Sequence, residues 1–363
     1  MITYGEINDP VFIKPAHYNF FDRFWIKFIA DERDLPFIHL IFKMIFTLVP
    51  LAVLLFLPLP HLYWWVIAGI YFVYNLFFLS GPYTLMLHCT SHRQLFKNDY
   101  KLLNEFIPWV LGPFFGQSPG TYFSHHLGMH HAENNLEDDL SSTMMYKRDS
   151  LVDFLKYFGS FFFGIIVSLT NYHHIRKRLK MRNKVLKGEI FFVVLCIGLM
   201  FVNLPAVLVV FIAPLLLTRF IMMIGNWAQH SFVDFDEPGN CYKNSITCTN
   251  TSYNNMCFND GYHIDHHLKP TMHYTQYPEH FKTNIMEFAR NKALVFDGVH
   301  YLHIWFYLMT KNYKALASHI VNIDHSFSNE GEAIALLKSR TGKMALRGIN
   351  AKNYKAKLAA IPG

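Results

Sequence analysis

From Met44 to His92 the chain carries no Asp, Glu, Lys or Arg, and from Ile190 to Thr218 it again carries none. Runs this long, rich in Phe, Leu, Ile and Val, exceed a buried core helix and match bilayer spans. Two soluble domains, which 363 residues would allow, are set aside for one membrane-embedded unit. The expected fold class is an all-α integral membrane protein, with four transmembrane helices in two hairpins and a cytosolic helical cap.

The first span, Phe37 to Leu57, would measure about 32 Å as a helix. Lys43 lies inside it, where its side chain can snorkel to the near surface. Pro58, Pro60 and His61 mark a turn, and the second span covers 62–87, with Tyr63, Trp64 and Trp65 placed as an aromatic belt. Phe106 to Gly116 is short and carries Pro108 and Pro113, so it is expected to be re-entrant or interfacial. Asp149 to Tyr172 is Phe-rich, but Asp153 and Lys156 favour a surface helix. The second hairpin covers 189–202 and 206–225, turning at Asn203 to Pro205; its first limb is short enough to need tilt or local thinning.

Neither hairpin turn contains Lys or Arg, so the basic residues can all lie on one side, which the positive-inside rule makes the cytosol. The densest group is Arg176, Lys177, Arg178, Lys180, Arg182, Lys184 and Lys187. Residues 1–36, with Phe20, Phe21, Phe24 and Trp25, read as an interfacial segment rather than a cleavable signal. Residues 37–325 form the membrane domain. Residues 326–363 read as a solvated or membrane-surface tail, with Lys338, Arg340, Lys343, Arg347, Lys352, Lys355 and Lys357. Five cysteines without a CxxC pair indicate no structural disulfides and a reducing face.

Four segments concentrate the histidines. His88 and His92 are four apart, as are His126 and His130, with His131 about 100° further round the helix. Asn226 and His230 repeat the interval, and His263, His266 and His267 combine spacings of three and four. Neutral imidazole suits iron, zinc or copper. Nine histidines exceed what one ion can hold, which implies two metals, and a three-ligand zinc hydrolase site would leave most of them unused. The topology read from charge and hydropathy places all four segments on the same side.

Asn226, a poor direct ligand, can orient a metal-bound water. Asp265 and the run Glu137, Asp138, Asp139 can fix imidazole tautomers. His125 competes with His126 as a ligand. His173 and His174 are expected at the surface, and His273 and His280 beside the site or the substrate. Arg219, inside the fourth span, requires a partner or a substrate role.

These motifs resemble the membrane fatty acid desaturase and hydroxylase superfamily, whose mark is three histidine boxes at the cytosolic side of a helical bundle. Here they read HCTSH, HLGMHH and HIDHH, and NWAQH is similar to the NxxxH element of stearoyl-CoA desaturases and alkane hydroxylases. The likeness covers about residues 37–281. It implies a non-haem di-iron centre, held by His88, His92, His126, His130, His131, His230, His263, His266 and His267, with Asn226 acting through water. Two irons and O2 would oxidise an unactivated C–H bond of a fatty acyl or alkyl lipid.

The second box and HIDHHLKPT, His263 to Thr271, lean towards alkane hydroxylases. Cys89 stands where those carry Glu, and the four spans and the context GYHIDHH favour acyl desaturation. Hydroxylation or oxidative decarboxylation to an alkene is the alternative. A non-catalytic metal-binding or transport protein is disfavoured, because the histidines lie at helix ends rather than mid-span. No fused redox segment is evident, so electrons are expected from a separate carrier of ferredoxin, rubredoxin or cytochrome b5 type, docking on Arg176 to Lys187. Nucleic acid is not an expected partner.

Overall fold

The structure is a computed structural model that describes residues 1–3, 5–345 and 348–354. It is mostly helical, 66%. Four helices are long and apolar enough to cross a membrane: α1 (Glu32–Leu55), α2 (His61–His92), α3 (Leu151–Ile175) and α4 (Leu179–Gln229). They turn Phe46, Phe77, Phe163 and Phe201 outward, each at least 70% exposed. So much bare aromatic surface suits lipid rather than water.

One boundary differs from expectation. The stretch expected to lie on the surface forms the 25-residue α3, whose length and composition would also allow a span. α4 starts at Leu179, ten residues ahead of Glu189, because helix formers such as Lys180, Met181 and Leu186 carry it back to the turn after α3. The expected turn falls where it should. Asn203 leaves the helical region (φ −158°, ψ 98°), Pro205 withholds a backbone donor, and the Asn203 amide oxygen accepts from Ala206 N at 3.1 Å to restart the helix.

The chain divides into two compact units. One comprises Phe12–His126 and Leu169–Ile221. Within it the Leu55 carbonyl accepts from both Trp64 Nε1 (2.8 Å) and Asn203 Nδ2 (3.1 Å). Buried Asn75 donates to Tyr71 Oη (3.1 Å) and the Phe114 carbonyl (2.7 Å), and Tyr71 donates to the Val210 carbonyl. Apolar 107–115 is a pair of short helical turns that ends at Gly116, φ 66°, where a Cβ would stand 2.1 Å from Leu215 Cα. Only glycine fits there. Arg219 finds its partner in Glu189, 3.8 Å away, and Glu189 also accepts from Ser118 and from Thr121 (2.8 Å). His173 is fully buried, with Nε2 3.1 Å from the Ser124 carbonyl, so it is not the surface residue expected; His174 is exposed.

The other unit comprises Met1–Val11, Leu127–Ser168 and Met222–Gly363. It departs from an all-α fold through two short parallel strand pairs, β1 (Ile2–Thr3) with β4 (Val321–Asn322) and β2 (Ile246–Thr249) with β3 (Leu294–Asp297). β2 reads Ile-Thr-Cys-Thr and is buried throughout, a β-branched run that suits a covered strand. Around it the core gathers Phe232, Phe296 and Leu316 with residues of α6 (Tyr301–Met309), including Ile304 and Leu308. The expected tail includes α7 (Glu330–Ser339), whose Ala333 and Leu337, one turn apart on one face, are fully buried in that core. Arg347, Lys355 and Lys357 lie outside the described residues.

Arg148 is fully buried here, and its guanidinium donates to the carbonyls of Ser231 (2.9 Å), Thr143, Tyr146 and Arg340 (2.9 Å). Burial pulls its pKa down to about 9, against the opposing pull of Asp149.

Candidate metal centre

In the first histidine box, helix geometry converts spacing into convergence. At the end of α2, His88 and His92 share a face, their rings 5.4 Å apart. His126 joins them, with Nε2 3.0 Å from His92 Nε2 and its ring 4.4 Å from that of His88. His125 belongs to no such cluster.

In the second unit, His130, His230, His263 and His267 are all buried and bring ligand nitrogens within 4.8 Å of one another. His263 Nε2 lies 3.2 Å from His230 Nε2 and 3.0 Å from His267 Nε2. His131 and His266 form a further pair, Nε2 to Nε2 2.9 Å. The sorting is not the one that α-helical spacing predicts. His126 and His130 fall in different groups, because the chain over His126–His130 is a wider π turn rather than an α-helix, so residues four apart no longer superpose. Likewise α5 (His263–Leu268) sends His263 and His267, four apart, to the quartet and directs His266 to His131.

A metal fits these donors. Nitrogen ligands about 2.1 Å from one ion and at right angles around it stand about 3 Å apart, which is the separation of the paired Nε2 atoms. Burial, reinforced by neighbouring imidazoles, holds His230 down at about 4 and His267 well below the ordinary histidine value. Both are neutral at pH 7 and can offer a lone pair.

At His130, His230 and His266 the opposite ring nitrogen is held by another group. His130 Nδ1 is 2.7 Å from Asp139 Oδ2, and Asp139 also accepts from Asn135 N, Ser141 N and Ser141 Oγ. His230 Nδ1 donates to the Asn244 carbonyl at 2.9 Å, and His266 Nδ1 is 3.0 Å from Tyr277 Oη. These contacts leave Nε2 as the ligand atom. Asn134 and Asn135, both at positive φ, reverse the chain after His131 so that Asp139 returns to His130. Asn135 then donates to Asn244 Oδ1 at 3.0 Å. Gly261 is required beneath His263: a Cβ would lie 2.3 Å from the Cys248 carbonyl oxygen.

The other expected residues have different surroundings. Asn226 donates to the Ser141 carbonyl (3.0 Å) and to Tyr157 Oη (2.7 Å). Asp265 pairs with His280 Nδ1 at 2.6 Å rather than with a box histidine, and burial raises it to about 6 against the pull of His280. Glu137 accepts from Gly348 N, and Asp138 is half-buried. His273 caps a turn, accepting from Thr275 N, and belongs to neither histidine group. Sequence reasoning did not find Asn135, Asn244, Tyr157 or Tyr277; polar loop residues outside the boxes carry no periodic signal.

The family model described as fatty acid desaturase matches residues 63–299 of this chain, a range that contains all four histidine segments. No curated protein and no solved structure is matched.

Proposed function

The chain belongs to the fatty acid desaturase family, and from that premise we propose that it is an integral membrane di-iron enzyme that desaturates a fatty acyl chain. The buried quartet of His130, His230, His263 and His267 is the observation that carries this reading. It draws on three of the four histidine segments, contains no carboxylate, and so suits a late transition metal rather than magnesium or calcium. The remaining box histidines, His88, His92 and His126 in one unit and the pair His131 and His266 in the other, are proposed as the further iron ligands.

When bound, the iron pair supplies O2 activation and removal of hydrogen from an unactivated methylene. The balance is RCH2CH2R + O2 + 2e− + 2H+ → RCH=CHR + 2H2O, with the two electrons delivered by a separate ferredoxin, rubredoxin or cytochrome b5 type carrier. The protein's own residues fix the geometry. Asp139 and the Asn244 carbonyl hold the ring planes of His130 and His230. Asn226 has its amide hydrogens on Ser141 and Tyr157, so its oxygen is the atom that would take a water on the metal. Burial of His130, His230 and His263 would keep bulk water from a carbon held beside them. The four apolar helices support a place in the bilayer, and the boxes are proposed to lie on its cytosolic face.

The test is expression in a host of simple lipid profile, followed by mass spectrometry of its fatty chains and elemental analysis of the purified protein. Expected are a new double bond and bound iron, both lost in His263→Ala. Acyl chains left unchanged by iron-loaded protein with O2 and a reductant would overturn the enzyme reading. A product that carries oxygen from 18O2 would replace desaturation by hydroxylation, towards which the HLGMHH box leans.

A further inference from the structure

We propose that the reversal joining α3 to α4 is a binding surface for anionic phospholipid headgroups. Seven cations stand between residues 176 and 187, and no acid intervenes before Glu189. The turn is tight. Lys177 adopts φ 57°, Arg178 N donates to the His173 carbonyl (2.8 Å) and Lys177 N to the His174 carbonyl (3.0 Å), which closes α3 in a Schellman motif. Three residues therefore separate one long apolar helix from the next, and the proposal sets the cations beside these helix ends at the level of the headgroups.

The side chains suit that depth. Lys177, Arg178, Lys180, Lys184 and Lys187 are exposed, and among the described residues Lys177, Lys180, Arg182 and Lys187 pair with no carboxylate. Leu179 (50% exposed) stands among them, and Ile175 (75%) and Ile190 (61%) flank them. Arg176 lies over the Tyr172 ring at 3.9 Å and Lys184 over the Phe123 ring at 4.4 Å. Cationic heads above isolated apolar groups are the pattern of a segment seated at a bilayer surface, with stems lying along acyl chains and ammonium groups at phosphates. An acidic redox carrier would meet the charges but leave the apolar residues and the adjoining span ends unexplained, so lipid is the better occupant. Each such cation strengthens attachment to an anionic surface about fivefold.

The experiment is native mass spectrometry of the full-length protein in neutral detergent with equimolar phosphatidylglycerol and phosphatidylcholine. The wild type should retain phosphatidylglycerol in preference by about tenfold or more. The preference should collapse when Lys177→Gln, Lys180→Gln, Arg182→Gln and Lys187→Gln are combined. Exchange of the same residues for the other basic type, Lys177→Arg, Lys180→Arg, Arg182→Lys and Lys187→Arg, should preserve it. High salt should abolish it in the wild type, a readout that needs no variant. Equal retention of the two lipids, or a preference that survives the glutamines, overturns the proposal. So does a glutamine variant that keeps its lipid preference but loses turnover with an acidic carrier in pure phosphatidylcholine discs, because the surface would then belong to the carrier.

Discussion

The carboxylate of Asp139 meets Nδ1 of His130 at 2.7 Å, and both side chains are almost wholly buried. Asp139 accepts three further hydrogen bonds from Asn135 and Ser141, so its position is set independently of the imidazole it orients. Asp139→Asn keeps the volume and removes the charge. Metal affinity should fall by about 10- to 100-fold, read as iron bound at equilibrium against a competing chelator. Unchanged iron binding would mean that His130 is oriented by its helix alone.

His125 and His126 are adjacent, yet only His126 has its Nε2 3.0 Å from that of His92. His126→Ala should lose about half of the bound iron and all activity. His125→Ala should keep its iron. Elemental analysis of the two purified variants decides between them, and equal losses would contradict the assignment of ligands.

Arg148 is held entirely by carbonyl oxygens from four residues. Arg148→Ala strands several buried acceptors and opens a cavity, so chemical unfolding in detergent should show a loss of more than about 3 kcal/mol. Arg148→Lys should recover little, because a compact ammonium cannot span the fork that reaches Ser231 and Arg340 together. A fully rescued lysine variant would show that charge, not shape, is what matters.

Gly261 lies against the Cys248 carbonyl and Asn254, at 2.3 and 2.4 Å from where a Cβ would be. Gly261→Ala must push the segment that carries His263 away from β2. Destabilisation of about 1–3 kcal/mol is expected, together with iron loss. A variant that melts like the wild type and keeps its iron would show that the backbone here yields without cost.

The parts of the site that were legible follow from helical periodicity. His88 and His92 converge because α2 is an ordinary helix at that point. His126, His130 and His131 sort differently because the chain widens into a π turn, for which HLGMHH offers no signal. The long apolar helices were legible because charge-free runs have few alternatives, and the kink was legible in Asn203 and Pro205. The supports of the histidines were not. Asn135 and Asn244 reach the site only because Asn134 and Asn135 adopt left-handed backbone, and Tyr277 arrives from a separate short helix. Burial of α7 was hidden because its two packed residues sit among lysines and acids that dominate the composition of the tail.

The Leu55 carbonyl that accepts from both Trp64 and Asn203 also orders events in time. Trp64 is nine residues from Leu55 and can close its bond as soon as the first two helices leave the ribosome. Asn203 is 148 residues away, so its bond can close only after the later helix pair has been made. The order of synthesis thus lets the early pair form before the kink of the late pair docks onto it.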